Sequence, residues 1–424
     1  MNVLLVGGGG REHAIAWKLA QSPTLDRLYA APGNPGVAAH AELVSLDPSD
    51  HPAVVDFCTA HAIGLVVVGP EAPLVGGLAD ALAAAGVPVF GPSAAAARLE
   101  GSKGFTKDLC AQAGVPTAGY VRVRSRGEAD AAIRSTFSLP VVIKADGLAA
   151  GKGVAVAYTR EEADAALDRL FEGGDGEAVV EEYLEGEEAS LFVLSDGTSF
   201  AAFGSAQDHK RVGEGDIGPN TGGMGAHSPA VVLTPELERR ALTEIVVPTL
   251  AAMRDAGTPF AGVLYAGLML TAQGPKLIEY NVRFGDPEAE AVLPRFGGDL
   301  LQWMHATATG RLGELGPAPF RAEAALTVVV AAEGYPGTPR AGGAVRGIER
   351  AEAEGALVFH AGTRAAADGL VATGGRVLAV TALGATVAEA REAAYRAVDR
   401  IDYAHGFHRR DIGWRELARG NVTL

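Results

Sequence analysis

Four short apolar runs in the first hundred residues constrain the fold more than any other feature. The runs occupy residues 3–6, 28–31, 65–68 and 87–90, and alanine-rich stretches of helical character separate them. Strands that alternate with helices predict a parallel α/β sheet, which binds ligands at the carboxyl ends of its strands. A glycine-containing turn follows each run, at residues 7–10, 33–36, 69–71 and 91–93. Such turns can be simple connections, but four of them on one sheet edge favour a binding site.

Composition limits the classes of protein to which this chain can belong. Its 424 residues carry a net charge of −15, and no run of Lys and Arg offers a phosphate-binding stripe, so we expect no nucleic-acid partner. No unbroken apolar stretch is long enough for a membrane span, and the first apolar run is too short for a secretion signal, so we expect a cytoplasmic protein without membrane contact. Cys58 and Cys110 lack metal or redox spacing, and we expect buried thiols.

The chain is too long for one ordinary domain, and its pattern changes twice along the sequence. Residues 1–100 predict a Rossmann-like parallel-sheet domain that binds substrate. Residues 101–325 carry strand-like runs among long glycine-rich connections, and we expect a mobile lid at about residues 120–187. Residues 326–424 predict a small C-terminal α/β domain. Residues 204–225 have neither a helical nor a strand period, and a structureless segment of that length is either a functional loop or a sign that an element has been missed.

The first glycine turn does not match a dinucleotide-binding loop. With Gly7 first, the third glycine of G-x-G-x-x-G would fall on Glu12. With Gly8 first, it would fall on His13. The second apolar run also ends without the acid that binds a nicotinamide ribose, so an oxidoreductase is disfavoured. The start of a helix beside Arg11 still favours a phosphate or carboxylate ligand.

Residues 144–153 form the second glycine-rich segment, KADGLAAGKG. They do not form a Walker P-loop, because only three residues separate Gly147 from Gly151 and a glycine follows Lys152. A strand-like run comes next, where a P-loop requires a helix. A glycine-rich hairpin with Lys144 at the end of its first strand favours a flexible flap over a triphosphate. A surface hairpin with solvated lysines is the alternative.

Residues 277–284, LIEYNVRF, carry the third motif. Strand periodicity places Glu279, Asn281 and Arg283 on one face and the residues at 278, 280, 282 and 284 on an apolar face. Carboxylate and amide oxygens suit Mg²⁺, which keeps waters and nucleotide phosphates as its other ligands. The guanidinium of Arg283 can bind a phosphoryl or carboxylate group in a bidentate manner. An edge strand with one solvated face would show the same alternation.

Lysine is rare in this chain, since only seven of its 36 basic residues are lysines. A lysine that is kept therefore indicates a specific requirement, and a compact ammonium group suits phosphate contact. Four of the seven lie in the motif-rich segments: Lys103, Lys144, Lys152 and Lys210.

Taken together, these segments resemble the ATP-grasp superfamily, in which the nucleotide lies between two subdomains. The resemblance implies a multidomain ATP-grasp architecture and magnesium ligands at Glu279 and Asn281, with Mn²⁺ as an alternative metal. The implied ATP contacts fall on the phosphates (Lys103, Lys144), the flap (Gly151, Lys152, Gly153), an adenine hinge (Glu181, Glu182, Leu184) and the ribose hydroxyls (Glu188).

Three longer stretches narrow the resemblance to the glycinamide ribonucleotide synthetase family. They are GGGREH at 8–13, QDHKR at 207–211 with GPNTGGMG at 218–225, and RFGDPE at 283–288. This resemblance implies a step of purine biosynthesis, the ATP-dependent joining of glycine to 5-phosphoribosylamine. The products would be glycinamide ribonucleotide, ADP and phosphate, formed through glycyl phosphate without a covalent protein nucleophile. We expect the enzyme to be a monomer.

The glycine turns and these stretches also supply the remaining expected site residues. The expected catalytic residues are Arg283, Lys144, Asp208 and Lys210. The expected substrate-binding residues are Gly10, Arg11, Glu12, Asn34, Pro70, Glu71, Asp208, Lys210, Arg283, Asp286 and Pro287.

Two questions stay open at this point. Many ATP-grasp proteins place a further acidic metal ligand on the strand before the one that carries Glu279, but residues 264–270 contain no acid. The number of bound metal ions is therefore undetermined. A nucleotide-binding module without catalytic activity and an ATP-grasp purine enzyme with a different carboxylate substrate are the alternative functions.

Overall fold

The computed structural model describes residues 1–148 and 153–420. Its first region is built on five parallel strands: β1 (Asn2–Gly7), β2 (Arg27–Pro32), β3 (Glu42–Leu43), β4 (Ile63–Val68) and β5 (Val89–Phe90). They are ordered β3-β2-β1-β4-β5. The parallel sheet predicted from the four apolar runs is confirmed. Strand β3 was not predicted, because its two residues are both exposed and form no apolar run.

Helices connect these strands and lead out of the region. They are α1 (Gly10–Leu19), α2 (His51–Ala60), α3 (Glu71–Val75), α4 (Leu78–Ala84), α5 (Ala94–Gly101) and α6 (Lys103–Ala113). The hydroxyl of Ser102 caps α6 by accepting from the Phe105 amide, which satisfies a free donor of the first turn. Lys103 is thereby the first residue of a helix.

A separate four-stranded antiparallel sheet comes next, and we call it the lid sheet. Its strands are β6 (Tyr120–Val123), β7 (Val141–Ala145), β8 (Val154–Ala157) and β9 (Ala178–Glu182), in the order β6-β9-β7-β8, with helices α7 (Arg126–Ser135) and α8 (Arg160–Leu170). Strands β7 and β8 pair directly, so the second glycine-rich segment joins two strands, as expected. Gly151 and Lys152 lie outside the described residues.

Most of the remaining strands form one large antiparallel sheet, which we call the main sheet. They are β10 (Glu187–Asp196), β11 (Phe200–Asp208), β14 (Gly225–Ser228), β15 (Ala261–Thr271), β16 (Gly274–Asn281), β17 (Ala324–Ala332), β19 (Leu357–His360), β22 (Arg376–Gly384) and β23 (Gly406–Phe407). Their order is β16-β15-β10-β11-β14-β17-β22-β19, and β23 also pairs with β17.

Residues 204–225 do not form one long loop, so the alternative, that elements were missed in this segment, is the correct one. Strand β11 runs to Asp208, and a two-stranded hairpin follows, made of β12 (Arg211–Gly213) and β13 (Ile217–Asn220). We call residues 211–220 the hairpin. Its strands are short and rich in glycine and polar residues, so they show no apolar alternation in the sequence.

The C-terminal region continues the main sheet, since β17 pairs with β14 and β22. Three further short strands form a small sheet: β18 (Ala344–Val345), β20 (Thr363–Ala366) and β21 (Gly369–Ala372). The remaining helices are α9 (Pro235–Ala241), α10 (Val247–Asp255), α11 (Glu288–Arg295), α12 (Leu300–Ala308), α13 (Ile348–Glu352), α14 (Val387–Val398) and α15 (Trp414–Ala418). All nine residues of β17 are buried.

In the part of the chain that the structure describes, no helix combines the length and apolar character that a membrane crossing requires.

Candidate active site

A cavity of about 320 Å³ lies between the lid sheet and the main sheet, and we call it the main cavity. It collects most of the residues predicted from the sequence. The predicted residues that line it are Glu71, Lys103, Lys144, Gly153, Glu181, Glu182, Leu184, Glu188, Asp208, Lys210, Glu279, Asn281, Arg283 and Asp286. They come from segments spread over more than two hundred residues of the sequence.

Strand β16 forms one wall of the main cavity and carries Glu279 and Asn281. The predicted alternation holds for Tyr280, which is 2% exposed. It fails at Ile278, which is half-buried and lines the cavity. The pairing of β16 with β15 shifts register beside Gly267, and such a bulge turns one residue away from the face that alternation assigns to it.

The oxygens on this wall fit a divalent metal ion. The Ile278 carbonyl accepts from Lys144, and Asn281 Oδ1 accepts from Arg283. The Glu279 carboxylate between them has no hydrogen-bond or ion-pair partner among residues 1–148 and 153–420. One carboxylate and one amide oxygen suit Mg²⁺ that is also held by phosphates and water. Within those same residues, no three His, Cys, Asp or Glu side chains are grouped to hold a metal ion.

A buried carboxylate with two lysines forms the lid side of the cavity. Glu181 Oε2 lies 3.0 Å from Nζ of Lys107 and 3.0 Å from Nζ of Lys144. All three side chains are almost completely buried. Burial lowers the pKa of Lys107, and the nearby Glu181 opposes that shift. Lys144 also donates to the Ile278 carbonyl over 3.2 Å, so it bridges the lid sheet and β16.

Lys103 is held at the edge of the lid by Asp146. The Lys103 amide donates to Asp146 Oδ1 at 2.5 Å, and the Ser102 hydroxyl donates to Asp146 Oδ2 at 3.0 Å. The Lys103 ammonium donates to the Gly147 carbonyl at 2.8 Å. Burial lowers the pKa of Lys103. The start of α6 and the glycine-rich segment are thereby held together.

Asp208 is the last residue of β11, and Lys210 follows two residues later, so both line the cavity from the side of the main sheet. Lys210 Nζ lies 2.6 Å from Glu188 Oε2. This ion pair holds the pKa of Glu188 below its usual value. Burial, reinforced by Glu288 and Glu188 and opposed by Lys210, raises the pKa of Asp208 to about 7. Asp208 therefore changes charge near neutral pH.

Arg283 is more enclosed than its sequence position suggested. Its Nε lies 3.2 Å from Glu71 Oε2 and its Nη2 lies 2.7 Å from Glu100 Oε1. The same Nη2 donates to Asn281 Oδ1 at 3.2 Å. These contacts fix the orientation of the Asn281 amide and balance the charge of the guanidinium with two carboxylates.

The start of α1 is occupied by carboxylates of the chain itself, where the sequence favoured an external anion. Glu12 accepts from the Gly9 amide at 2.6 Å and from Arg11 Nε at 2.6 Å. The Arg11 amide donates to Asp286 Oδ2 at 3.4 Å. Glu12 packs so closely that a Cβ atom on Gly69 would lie 2.1 Å from its Oε1. Glycine in the third turn is therefore required by this buried side chain.

A second, more open cavity of about 460 Å³ adjoins the first at Asp286. It is lined by the glycine turn at Gly8 and Gly9, by Asn34, and by residues of the C-terminal region that include Arg376. Arg376 Nη2 lies 3.1 Å from Asp286 Oδ1. Five predicted substrate residues line neither cavity: Gly10, Arg11, Glu12, Pro70 and Pro287.

Several residues of the main cavity were not predicted. The scarcity of lysine was a sequence signal that could have identified Lys107. Four of the six lysines within the described residues line the cavity, and Lys107 is one of them. Tyr265 was hidden in an apolar strand; its hydroxyl donates to Glu288 Oε1 at 2.7 Å and bonds to Ser190 Oγ at 2.7 Å. Glu100 had no local signal, since its role comes from a distant arginine.

Three family models match the chain in sequence order. The phosphoribosylglycinamide synthetase N domain matches residues 1–100, the ATP-grasp (A) domain matches residues 101–289, and the C domain matches residues 325–415.

Individual relatives match over the full length. A phosphoribosylamine–glycine ligase of Mesorhizobium japonicum is 61% identical and the alignment covers 100% of both chains. One of Rhizobium meliloti is 58% identical over 99% of each chain. The crystal structure of a phosphoribosylamine–glycine ligase of Thermotoga maritima is 33% identical, covers 97% of this chain and 100% of its own, and superposes with a TM-score of 0.84. The chain therefore belongs to the phosphoribosylglycinamide synthetase family of ATP-grasp ligases.

Proposed function

We propose that this chain joins glycine to 5-phosphoribosylamine at the expense of ATP and releases glycinamide ribonucleotide, ADP and phosphate, a step of purine biosynthesis. One observation carries the proposal: a single cavity is lined by Lys103, Lys144 and Lys210 and by Glu279, whose carboxylate has no partner among the residues that the structure describes. Cations for a polyphosphate and oxygens for a metal ion thus meet between two sheets. The family names of the full-length relatives supply the two substrates.

The chemistry requires an activated carboxylate, because a free carboxylate is a poor electrophile at neutral pH. Transfer of the γ-phosphoryl group to glycine makes glycyl phosphate, and attack by the amine then expels phosphate. Enzymes of this kind act by positioning and charge neutralisation. We propose that Lys103 and Lys144 contact the triphosphate and that Arg283 orients Asn281 and the acceptor end.

Glu279 and Asn281 would hold a divalent metal ion, for which we propose Mg²⁺ with Mn²⁺ as an alternative. When bound, it would supply positive charge at the transferred phosphoryl group. We further propose that the backbone at Glu181, Glu182 and Leu184 recognises adenine, and that Glu188 binds the ribose hydroxyls.

We propose that Asp208 accepts the proton that the acceptor amine must lose. Its pKa of about 7 suits a group that exchanges protons at neutral pH. We assign it the proton of the attacking amine, while Lys210 balances charge on the departing phosphate. Asn34 and Asp286, which line the second cavity, are proposed to bind the ribosyl substrate together with the glycine turn at Gly8 and Gly9.

The lid at about residues 120–187 is proposed to close over bound nucleotide, because it forms a sheet of its own. We also propose that the enzyme is a cytoplasmic monomer with small-molecule partners only. The net charge of −15 supports the exclusion of nucleic acid.

The fate of oxygen tests the reaction. Glycine whose carboxylate carries a heavy oxygen isotope should deliver one labelled atom to inorganic phosphate in each turnover, with ADP as the nucleotide product. Label in AMP would indicate an acyl adenylate instead. Label that stays wholly in the amide product and in glycine would exclude the acyl phosphate.

A further inference from the structure

The segment that carries Asp208 and Lys210 has two sides, and only one faces the main cavity. Between these residues lies His209, which is 4% exposed. Its Nε2 accepts a hydrogen bond from the Gly413 amide at 3.1 Å. Successive side chains of an extended chain point to opposite sides. Whatever holds His209 therefore also determines where Asp208 and Lys210 stand.

The C-terminal tail, residues 409–416, contacts this side, and Arg409 is its most enclosed charged residue. Arg409 is 1% exposed, although it carries a full charge. Its Nη1 donates to the Arg211 carbonyl at 2.9 Å and to Asp216 Oδ1 at 2.9 Å. Its Nε and Nη2 donate to the two oxygens of Asp411 at 2.7 and 2.8 Å. One guanidinium thus joins strand β12 and the turn of the hairpin to the tail.

Further contacts of the tail converge on the tip of the hairpin. The Gly215 amide donates to Asp411 Oδ2 at 2.7 Å, and the Arg410 amide donates to Glu214 Oε1 at 2.9 Å. Asp216 Oδ2 accepts from Trp414 Nε1 at 3.2 Å. Three consecutive hairpin residues are therefore fixed by a segment that lies almost two hundred residues later in the chain.

The base of the hairpin transmits this attachment to the main cavity. The amide and hydroxyl of Thr221 donate to the Lys210 carbonyl at 2.7 and 2.9 Å. Asn220, Thr221 and Gly222 line the cavity next to Lys210. The two ends of the hairpin thus form one wall, and that wall has its outer support in the tail.

We propose that Arg409 is a positioning residue for the acceptor side of the active site, which it supports through the hairpin and His209 without touching substrate. The inference rests on the proposed function. Removal of the guanidinium would leave Asp411 without its bidentate partner, while Asp216 would keep Arg415, whose Nη2 lies 2.7 Å from its Oδ2. The two carboxylates would lose the cation that lies between them, and the turn of the hairpin would lose its link to Asp411. The hairpin would then shift, and Lys210 and Asn220 with it.

The nucleotide side is held by other contacts. Lys144 is paired with Glu181 and Lys103 is bonded to the Gly147 carbonyl, and neither contact involves the tail. Loss of Arg409 should therefore affect glycine and the amine far more than ATP. A purely structural role would weaken both sides together.

The test compares Arg409→Ala with Arg410→Ala. Arg410 is the adjacent arginine, but its side chain pairs with Asp399 at the surface, so Arg410→Ala should behave as wild type. For Arg409→Ala, kcat/KM for glycine and for the amine should fall roughly 100-fold, the cost of a misplaced group. The dissociation constant for ATP should change far less, because, in the described part of the chain, only the ion pair between Lys210 and Glu188 links this wall to the nucleotide side. Millimolar guanidinium should restore part of the lost rate to Arg409→Ala and none to Lys210→Ala.

Arg409→Lys is a second variant for the same measurement in case Arg409→Ala does not fold. It keeps the charge but loses the bidentate contact with Asp411, so its glycine KM should be intermediate. A normal glycine KM in both variants, or an equal loss of ATP affinity that guanidinium does not reverse, would overturn the inference.

Hydrogen exchange separates this inference from the proposed reaction, since it needs no substrate. Arg409→Ala should exchange faster at residues 208–222, with strands β7 and β9 unchanged. Unchanged exchange at residues 208–222 would reject the positioning role even if the enzyme is the proposed ligase. Faster exchange there in a protein that does not use glycine would support the positioning role and reject the proposed substrate.

Discussion

Two glutamates face the main cavity from opposite walls, and their surroundings differ completely. Glu181, on the lid sheet, is enclosed by the ammonium groups of Lys107 and Lys144. Glu279, on the main sheet, has no partner among residues 1–148 and 153–420. A buried carboxylate between two cations contributes to the structure around it. A carboxylate left free beside an amide oxygen is available to a ligand. Two glutamates that line the same cavity can therefore have different roles, one in stability and one in ligand binding.

Replacement of Glu279 should have the largest effect on activity. Glu279→Ala removes the proposed metal oxygen and no observed contact, so turnover should fall roughly 1,000-fold while the melting temperature stays near the wild-type value. Steady-state kinetics and thermal unfolding measure the two quantities. Glu185→Ala, at an exposed glutamate near the same cavity, is the control. Full activity of Glu279→Ala would remove this residue from the proposed metal site.

Replacement of Glu181 should instead act on stability. Glu181→Ala leaves two buried lysines without their shared carboxylate, and removal of one partner from a buried ion pair costs about 3–5 kcal/mol. Urea unfolding should report a lower free energy of unfolding, and ATP affinity should fall as well. Glu172→Ala, at an exposed position of the lid region, should change neither. If Glu181→Ala were as stable as the wild type, the contrast between the two glutamates would fail.

The smallest effect concerns pH and belongs to the wall that carries Asp208. Because its pKa is raised to about 7, Asp208 is protonated below that value and charged above it. If the charged form accepts the proton of the amine, kcat/KM for the amine should rise with pH by up to about tenfold per unit below pH 7 and then level off. Asp208→Asn should be slower and lack this limb, whereas the KM for ATP should depend little on pH in either protein. A limb that survives in Asp208→Asn belongs to another group.

The sequence predicted those strands whose pattern of apolar and polar residues is complete within a few neighbouring positions. Strands β1 and β4 are unbroken apolar runs, as expected for a buried parallel sheet. The glycine-rich segment after Lys144 was assigned to a hairpin because no helix signal follows it, and strand β8 is there. The polar positions of β16 were likewise readable from strand periodicity.

Features that depend on distant partners were not predictable in this way. The hairpin has no apolar pattern because its supports are Arg409 and Asp411, which lie far along the chain. The exposure of Ile278 comes from a register shift with β15, which no property of its own neighbours signals. Lys107 could have been found from the scarcity of lysine, but its ion pair with Glu181, a residue predicted only as part of the adenine hinge, could not.

The pairing of β14 with β17 bears on attempts to divide this protein. Residues 225–228 pair with residues 325–328, so a fragment that stops before β17 would expose the free edge of β14. Unprotected edges invite pairing with other chains and aggregation. A shortened enzyme intended for crystallography or for fusion would therefore be expected to fail by self-association, even though every residue of the main-cavity wall in β16 would still be present.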